Sequence, residues 1–186
     1  MKMVERIMSP EEQAEFLSIC TILAGEAWYG LDTRRIREVI GAGLLQSVPL
    51  APAYIGGVVP YRGEVLTAVC LRSLLGLDPA APEGCILVLD DGLGGEENRF
   101  GLVVDRVGGV MSIDRRTLAP NPSTLEDRGQ AIFEGAFRME HGLVVQLSTE
   151  RLTPVRLAES GLFAKSMSNE NAWLDARSRE SMSCAH

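Results

Sequence analysis

The fold is decided by residues 58–70, which read VVPYRGEVLTAVC. Two short apolar runs flank a two-residue connection, Arg62-Gly63, and this pattern predicts a tight β-hairpin. Pro60 has no amide hydrogen to donate, so the first strand of the hairpin must lie at the edge of a sheet or end there. Because the hairpin holds Arg62 between two rigid strands, its guanidinium can make oriented contacts that a mobile side chain cannot.

Similar apolar runs, separated by turn residues, continue on both sides of this hairpin and predict a mainly β protein. Cys85–Leu89 is continuously apolar, as expected of a strand that is buried on both faces. Short helices are expected at Leu71–Leu77 and from about Glu150, where Ser148 or Thr149 would be the cap, and a loop is expected at Leu118–Gly129. The other predicted strands are Phe16–Leu23, Trp28–Leu31, Glu38–Ile40, Phe100–Val104, Val107–Met111, Ile132–Met139 and Leu143–Leu147.

The pattern divides the chain into a leader at residues 1–15, a folded region at 16–157 and a polar tail at 158–186. A break near residues 78–84 separates two groups of short strands, which suggests two β lobes. Closing each lobe into a barrel would remove the exposed sheet edges that small sheets otherwise carry.

Composition excludes several classes of function. The formal net charge is -7, and an acidic chain does not favour binding to nucleic acid. No apolar run approaches the ~18 residues of a membrane span, and residues 1–15 lack the apolar core of a secretory signal. The sequence therefore predicts a cytoplasmic protein that does not insert into a membrane.

The residues that usually carry catalysis are scattered. The four cysteines form no C-x-x-C pair and there are only two histidines, so the clustered ligands of a zinc site are missing and no cofactor is predicted. His141 lies in a predicted Glu-His-Gly turn, where a histidine is usually a surface residue. A small β-barrel enzyme that uses Cys70 or His141 stays open as an alternative.

Several segments, in this order along the chain, resemble CheW domains. Those segments are WYGLD at 28–32 with IREVI at 36–40, PLAPAYIGGV at 49–58 with Arg62-Gly63 and Leu71-Arg72, FGLVVDRV at 100–107, and GLVVQLSTERL at 142–152. The resemblance implies two intertwined five-stranded SH3-like β-barrels that share a hydrophobic core. It also implies a non-catalytic adaptor that couples the cytoplasmic tips of methyl-accepting chemoreceptors to the regulatory domain of a CheA-type histidine kinase, in receptor arrays at the inner membrane.

Carried over by motif position, the resemblance also implies which residues bind partners. Arg62 and Gly63 match the signalling turn of the family. The strand beside the receptor and kinase surfaces and the apolar segment before the turn supply the remaining candidates, which are Ile36, Glu38, Val39, Ile55, Gly57 and Val58. The family's Asn-Leu before Arg-Gly is Pro60-Tyr61 here.

Opposite charges on neighbouring predicted β elements lead to a hypothesis about geometry. We expect Glu38 and Arg62 to form an ion pair that shapes the partner-binding surface. Arg34, Arg35 and Arg37, joined by Arg62, are predicted to form one basic cluster, in which Arg34 and Arg35 are more simply read as the solvated face of a short helix. A CheW-like scaffold with a different output, such as surface motility or second-messenger control, also stays open.

Overall fold

The computed structural model describes residues 15–78, 84–90, 99–139 and 142–163. Within them the chain forms three short α-helices, which are α1 (Leu71–Leu74), α2 (Asp127–Ile132) and α3 (Pro154–Ser160). The strands are β1 (Phe16–Ala24), β2 (Ala27–Asp32), β3 (Ile36–Gly41), β4 (Ile55–Tyr61), β5 (Glu64–Cys70), β6 (Cys85–Asp90), β7 (Arg99–Val104), β8 (Arg106–Asp114), β9 (Phe133–Met139) and β10 (Gly142–Leu147). The predicted mainly β architecture is confirmed.

The strands form two five-stranded sheets. One sheet, here called the contiguous lobe, contains β3 to β7 in the order β3-β6-β7-β5-β4. The other, the split lobe, combines β1 and β2 with β8 to β10 in the order β8-β1-β2-β10-β9. The chain passes between the sheets at Thr33–Arg35 and at Asp105, whereas the break expected near 78–84 falls between β5 and β6 of one sheet. The break predicted near 78–84 therefore falls inside a lobe and is not the boundary between the lobes.

The two lobes have the same plan. Each has one parallel pair at its centre, β5 with β7 in the contiguous lobe and β2 with β10 in the split lobe. Matching β3 to β8 brings β4 onto β9, β5 onto β10, and the hairpin β6-β7 onto the hairpin β1-β2. The lobes are thus related by a circular permutation of strand order.

Each sheet is closed toward a barrel by a single bridge, not by a full strand ladder. After β3, a 3-10 turn at Ala42–Leu44 brings Gln46 to pair with Val58 of β4. After β8, a 3-10 turn at Arg115–Thr117 brings Ala119 to pair with Ala136 of β9. This arrangement fits the SH3-like lobes that the sequence predicts.

A glycine makes each closing bridge possible. Gly57 has a φ of 147°, and a Cβ there would lie 2.3 Å from the carbonyl oxygen of Gln46. Gly135, with a φ of 158°, has the same relation at 2.3 Å to the carbonyl oxygen of Ala119. A side chain at either position would push the two backbone segments apart, so glycine is required where the barrel closes.

The hydrophobic core has three parts, and the largest lies between the lobes. The contiguous lobe encloses a cluster around Val59, and the split lobe encloses a cluster around Phe137. A larger cluster takes residues from both sheets, with Ile22 and Leu31 from one and Leu87 and Leu102 from the other. The shared core that the resemblance implies is therefore present.

The α-helices differ from the sequence predictions in three places. The last helix begins at Pro154, not near Glu150. The side chain of Thr153 is the N-cap and accepts a hydrogen bond from the amide of Arg156. Proline is favoured at the first helical position that follows such a cap. Ile132 ends α2, which lies partly within the expected loop Leu118–Gly129. The first helix stops at Leu74, where the expected helix ran to Leu77.

Some predictions concern parts of the chain outside the described residues. They are most of the leader, the tip at 91–95, His141 and the chain beyond Phe163.

Candidate functional site

A tight hairpin joins β4 to β5 through Arg62 and Gly63, and Tyr61 pairs with Glu64 across it. Arg62 has a φ of 50° and Gly63 a φ of 87°. Positive φ at both central residues is the signature of a type I′ turn, whose twist matches that of the strands. A non-glycine residue rarely adopts such a φ, so the strands fix the backbone at Arg62.

Glu38 receives two donors from this hairpin. The hydroxyl of Tyr61 donates to Glu38 Oε2 at 2.9 Å, and Arg62 Nη2 donates to the same oxygen at 2.9 Å. The Arg62 guanidinium also lies 5.1 Å from the centre of the Tyr61 ring. These three residues, here called the Glu38–Arg62 cluster, confirm the expected ion pair and add a tyrosine to it.

The electrostatics of the cluster favour a charged carboxylate. Hydrogen bonds from Tyr61 and then from Arg62 hold the pKa of Glu38 below its usual value. Burial, followed by the hydrogen bond to Glu38, raises the pKa of Tyr61. The carboxylate thus holds a neutral tyrosine and a cationic arginine in place.

Arg62 nevertheless faces solvent. Its side chain is 71% exposed and that of Glu38 40%, whereas Tyr61 is only 7% exposed and packs into the core of the contiguous lobe. A buried tyrosine therefore anchors an exposed arginine to the end of the barrel.

The other predicted site residues have mixed positions. Ile36 and Ile55 are half-buried and pack on the shared core, and Gly57 is buried at the barrel closure. Val58 is half-buried, and Val39 is 46% exposed. Along β3, exposure alternates, with Glu38 on the more buried face and Val39 on the exposed one. The structure therefore joins only Glu38, Arg62 and Gly63 into one local site.

The arginines of the predicted basic cluster are divided among different carboxylates. Arg34 pairs with Asp32 at 2.6 Å, and the Arg37 side chain pairs with Asp90. Arg35 lies 4.0 Å from Asp90 Oδ1 and 3.6 Å from Glu150 Oε1. These arginines brace the chain where it crosses between the lobes and do not join Arg62 in one basic patch.

Sequence reasoning missed the role of Tyr61. The family motif has a leucine at this position, which cannot donate a hydrogen bond to Glu38. The tyrosine in its place is the feature of the sequence that indicates an added donor. The structure shows that this departure supplies a hydrogen bond to the predicted ion pair.

Cys70, one of the two residues that the enzyme alternative would use, is 1% exposed. Burial raises the pKa of its thiol, which disfavours the reactive thiolate. His141, the other residue of that alternative, lies outside the described residues.

Within the described part of the chain, no helix has the length and apolar character needed to cross a bilayer.

Comparison with known proteins identifies the family. Chemotaxis protein CheW of Treponema pallidum is 24% identical over 144 residues, which cover 74% of this chain and 82% of that protein. Protein FrzA of Myxococcus xanthus is 30% identical over 120 residues, covering 63% of this chain and 72% of its own.

A solved structure supports the fold. The crystal structure of the scaffolding protein TtCheW from Thermoanaerobacter tengcongensis matches with a TM-score of 0.64 at 24% identity, over 73% of this chain and 91% of that one. The family model of the CheW-like domain matches residues 18–155. The chain belongs to the CheW-like domain family.

Proposed function

We propose that this protein is a non-catalytic adaptor that couples chemoreceptors to a CheA-type histidine kinase. Its place in the CheW-like family supports a role in chemotaxis signalling. The proposed partners are the regulatory domain of the kinase and the cytoplasmic tip of the receptors. The proposed location is the cytoplasm, in receptor arrays at the inner membrane.

The observation that carries the proposal is the Glu38–Arg62 cluster. Arg62 is exposed, yet its backbone is fixed by a tight turn and its guanidinium by a carboxylate and an aromatic ring. An arginine that is held in place before binding loses less conformational entropy when it meets a partner. Such a charge fixes the register and specificity of an interface more than it adds to affinity.

Exposed apolar residues of the same lobe offer contact area. Val39 and Val65 are 46% and 71% exposed on two strands of the same lobe, β3 and β5. Protein-binding surfaces combine apolar contact area with arginine more often than the rest of a protein surface does. In this proposal the protein makes and breaks no covalent bond, and the fixed geometry of its surface is its activity.

The test is reconstitution with a CheA-type kinase and a receptor cytoplasmic fragment from the source organism. We expect Arg62→Ala to leave the protein folded and to reduce receptor-dependent stimulation of kinase autophosphorylation. Arg116→Ala is the matched control, because Arg116 is 67% exposed and pairs with Asp114 at 2.7 Å in the other lobe. If the wild-type protein does not bind either partner, or if both variants couple as well as the wild type, the proposal is wrong.

The similarity to protein FrzA fits a second candidate function, a CheW-like scaffold for another sensory output. Deletion of the gene separates the two candidates. Loss of swimming chemotaxis supports the first function, whereas loss of surface motility or of second-messenger control with normal swimming supports the second.

A further inference from the structure

The chain does not leave the folded body where the family domain ends. The family model stops at residue 155, but Leu157 and Phe163 are 2% and 3% exposed and belong to the core shared by the two lobes. Helix α3 buries only Leu157. A helix of this length is marginal by itself, so its place depends on what it packs against.

Local sequence returns the chain to the core after α3. Thr153 caps the start of the helix with Pro154 in its first turn, and Gly161 ends it with a φ of 62°. A left-handed glycine at this position reverses the chain direction at a helix end. The next residues, Leu162 and Phe163, are thereby brought back onto the shared core.

Phe163 lies between one residue from each lobe. Its ring meets the ring of Tyr54 edge-on, with centroids 6.2 Å apart, and the Arg128 guanidinium lies 5.6 Å from its centre. Arg128 Nε also donates to the carbonyl oxygen of Leu162 at 3.2 Å. Tyr54 is tied to the contiguous lobe because its carbonyl accepts from the amide of Cys70, and Arg128 lies on α2 directly before β9 of the split lobe.

A second chain of contacts bridges the lobes at the other end of the same segment. Glu150 lies 3.6 Å from Arg35, and Arg35 lies 4.0 Å from Asp90 of β6 in the contiguous lobe. Arg151 Nη1 donates at 3.3 Å to the carbonyl oxygens of Gln130 and Phe133, which lie in the split lobe. The segment is therefore bound to both lobes at its beginning and at its end.

From this geometry we infer that residues 150–163 form an interlobe strap, pinned by Phe163 between Tyr54 and Arg128, which fixes the orientation of one lobe relative to the other. Between β1 and β10 the chain crosses from one lobe to the other at Thr33–Arg35 and at Asp105, and both crossings are short. Packing across the shared core must therefore set the angle between them. Loss of the Phe163 contacts would let the angle between the lobes vary and would leave each β-sheet intact.

The first test is native-state hydrogen exchange of the full-length protein. We expect Phe163→Ala to speed amide exchange about tenfold or more in α3, in α2 and at the turn of Tyr54, because local opening there becomes easier. Exchange at Val59, Tyr61 and Phe137, which pack in the cores of the single lobes, should accelerate less. Val155→Ala is the matched control, since Val155 lies on the same helix but is 66% exposed. Unchanged exchange at α2 and at Tyr54, or equal acceleration throughout both sheets, would overturn the inference.

The second test measures the lobes directly. Spin labels carried by non-natural amino acids at Val65 and Leu143 report the distance between β5 and β10, and both positions are exposed. We expect a narrow distance distribution in the wild type and a broader one in Phe163→Ala, and an unchanged width would contradict the strap. If Phe163→Ala does not fold, Arg128→Gln is the alternative variant. It removes the guanidinium that lies against the Phe163 ring and its hydrogen bond to the carbonyl of Leu162, and it leaves the core filled. A broader distance distribution again supports the strap, and an unchanged width again contradicts it. Both readouts use the free protein, so they hold whether or not the proposed partners bind.

Discussion

Tyr61 and Glu38 are joined by a 2.9 Å hydrogen bond from the phenol to the carboxylate oxygen that Arg62 also contacts. The bond connects the core of the contiguous lobe to its surface, because the ring is buried and the carboxylate is partly exposed. An exposed ion pair by itself is usually weak and mobile. The tyrosine makes this pair a fixed feature of the surface.

Tyr61→Phe removes one of the two donors to Glu38. We expect the pKa of Glu38 to rise toward its usual value, as measured by carbon-detected NMR titration of its carboxyl group. The pKa of this group is lowered in the folded protein, so its contribution to stability is present above the unfolded pKa and is lost as the pH falls through the folded pKa. In Tyr61→Phe this contribution should be smaller and its loss complete at a higher pH, because the folded pKa rises toward the unfolded pKa at which the loss begins.

Tyr29→Phe is the control for this titration, because Tyr29 packs in the shared core and lies apart from the cluster. A Glu38 titration in Tyr61→Phe that matches the wild type would show that the hydroxyl does not stabilise the carboxylate.

Gly57→Ala and Gly135→Ala should each destabilise the protein by about 2 kcal/mol or more, because each adds a Cβ against a carbonyl oxygen at a φ that alanine rarely adopts. Urea unfolding measures the effect. Gly41→Ala is the control, since a Cβ at Gly41 meets nothing within 4 Å and its φ is -69°. Wild-type stability in both strained variants would mean that the barrel closures are looser than described.

Gln146→Met should stabilise the protein. Gln146 is 1% exposed, and its Nε2 donates a long hydrogen bond of 3.4 Å to the carbonyl of Leu147. Among the described residues its Oε1 has no hydrogen-bond partner, a condition that costs about 1–3 kcal/mol relative to an apolar side chain of similar shape. We expect the free energy of unfolding to rise by about 1 kcal/mol or more in the same assay. Gln130→Met is the comparison, because the Gln130 amide donates to the carbonyl of Pro122 at 2.8 Å and its loss should bring no gain. A destabilised Gln146→Met would show that the amide is needed.

The sequence predicted the parts of the fold that depend on neighbouring residues. The hairpin around Arg62-Gly63 follows from its turn and flanking runs, and β4 lies at a sheet edge as Pro60 requires. The run Cys85–Leu89 is largely buried between two strands, as its composition predicts. These features are encoded within a few residues of one another.

Features that depend on distant residues could not be read in this way. Gly57 lies against the carbonyl of Gln46, where the barrel of the contiguous lobe closes. The residues around Gly57 in the sequence do not distinguish a glycine at a barrel closure from a glycine in a turn. The crossing of the chain between the lobes at Thr33–Arg35 has no compositional mark, because a 3-10 turn inside a lobe looks the same. The local sequence places Phe163 in the polar tail, because its burial depends on Tyr54 and Arg128, which are both far away in the chain.

The division of one lobe between the two ends of the folded chain has a consequence for biosynthesis. On the ribosome, β3 to β7 emerge one after another and can form their sheet as soon as they have been translated. The sheet that contains the β1-β2 hairpin cannot be completed until β8 to β10 have been translated. During that interval the apolar face of the nascent hairpin is uncovered, so this is the stage at which a chaperone would be most needed.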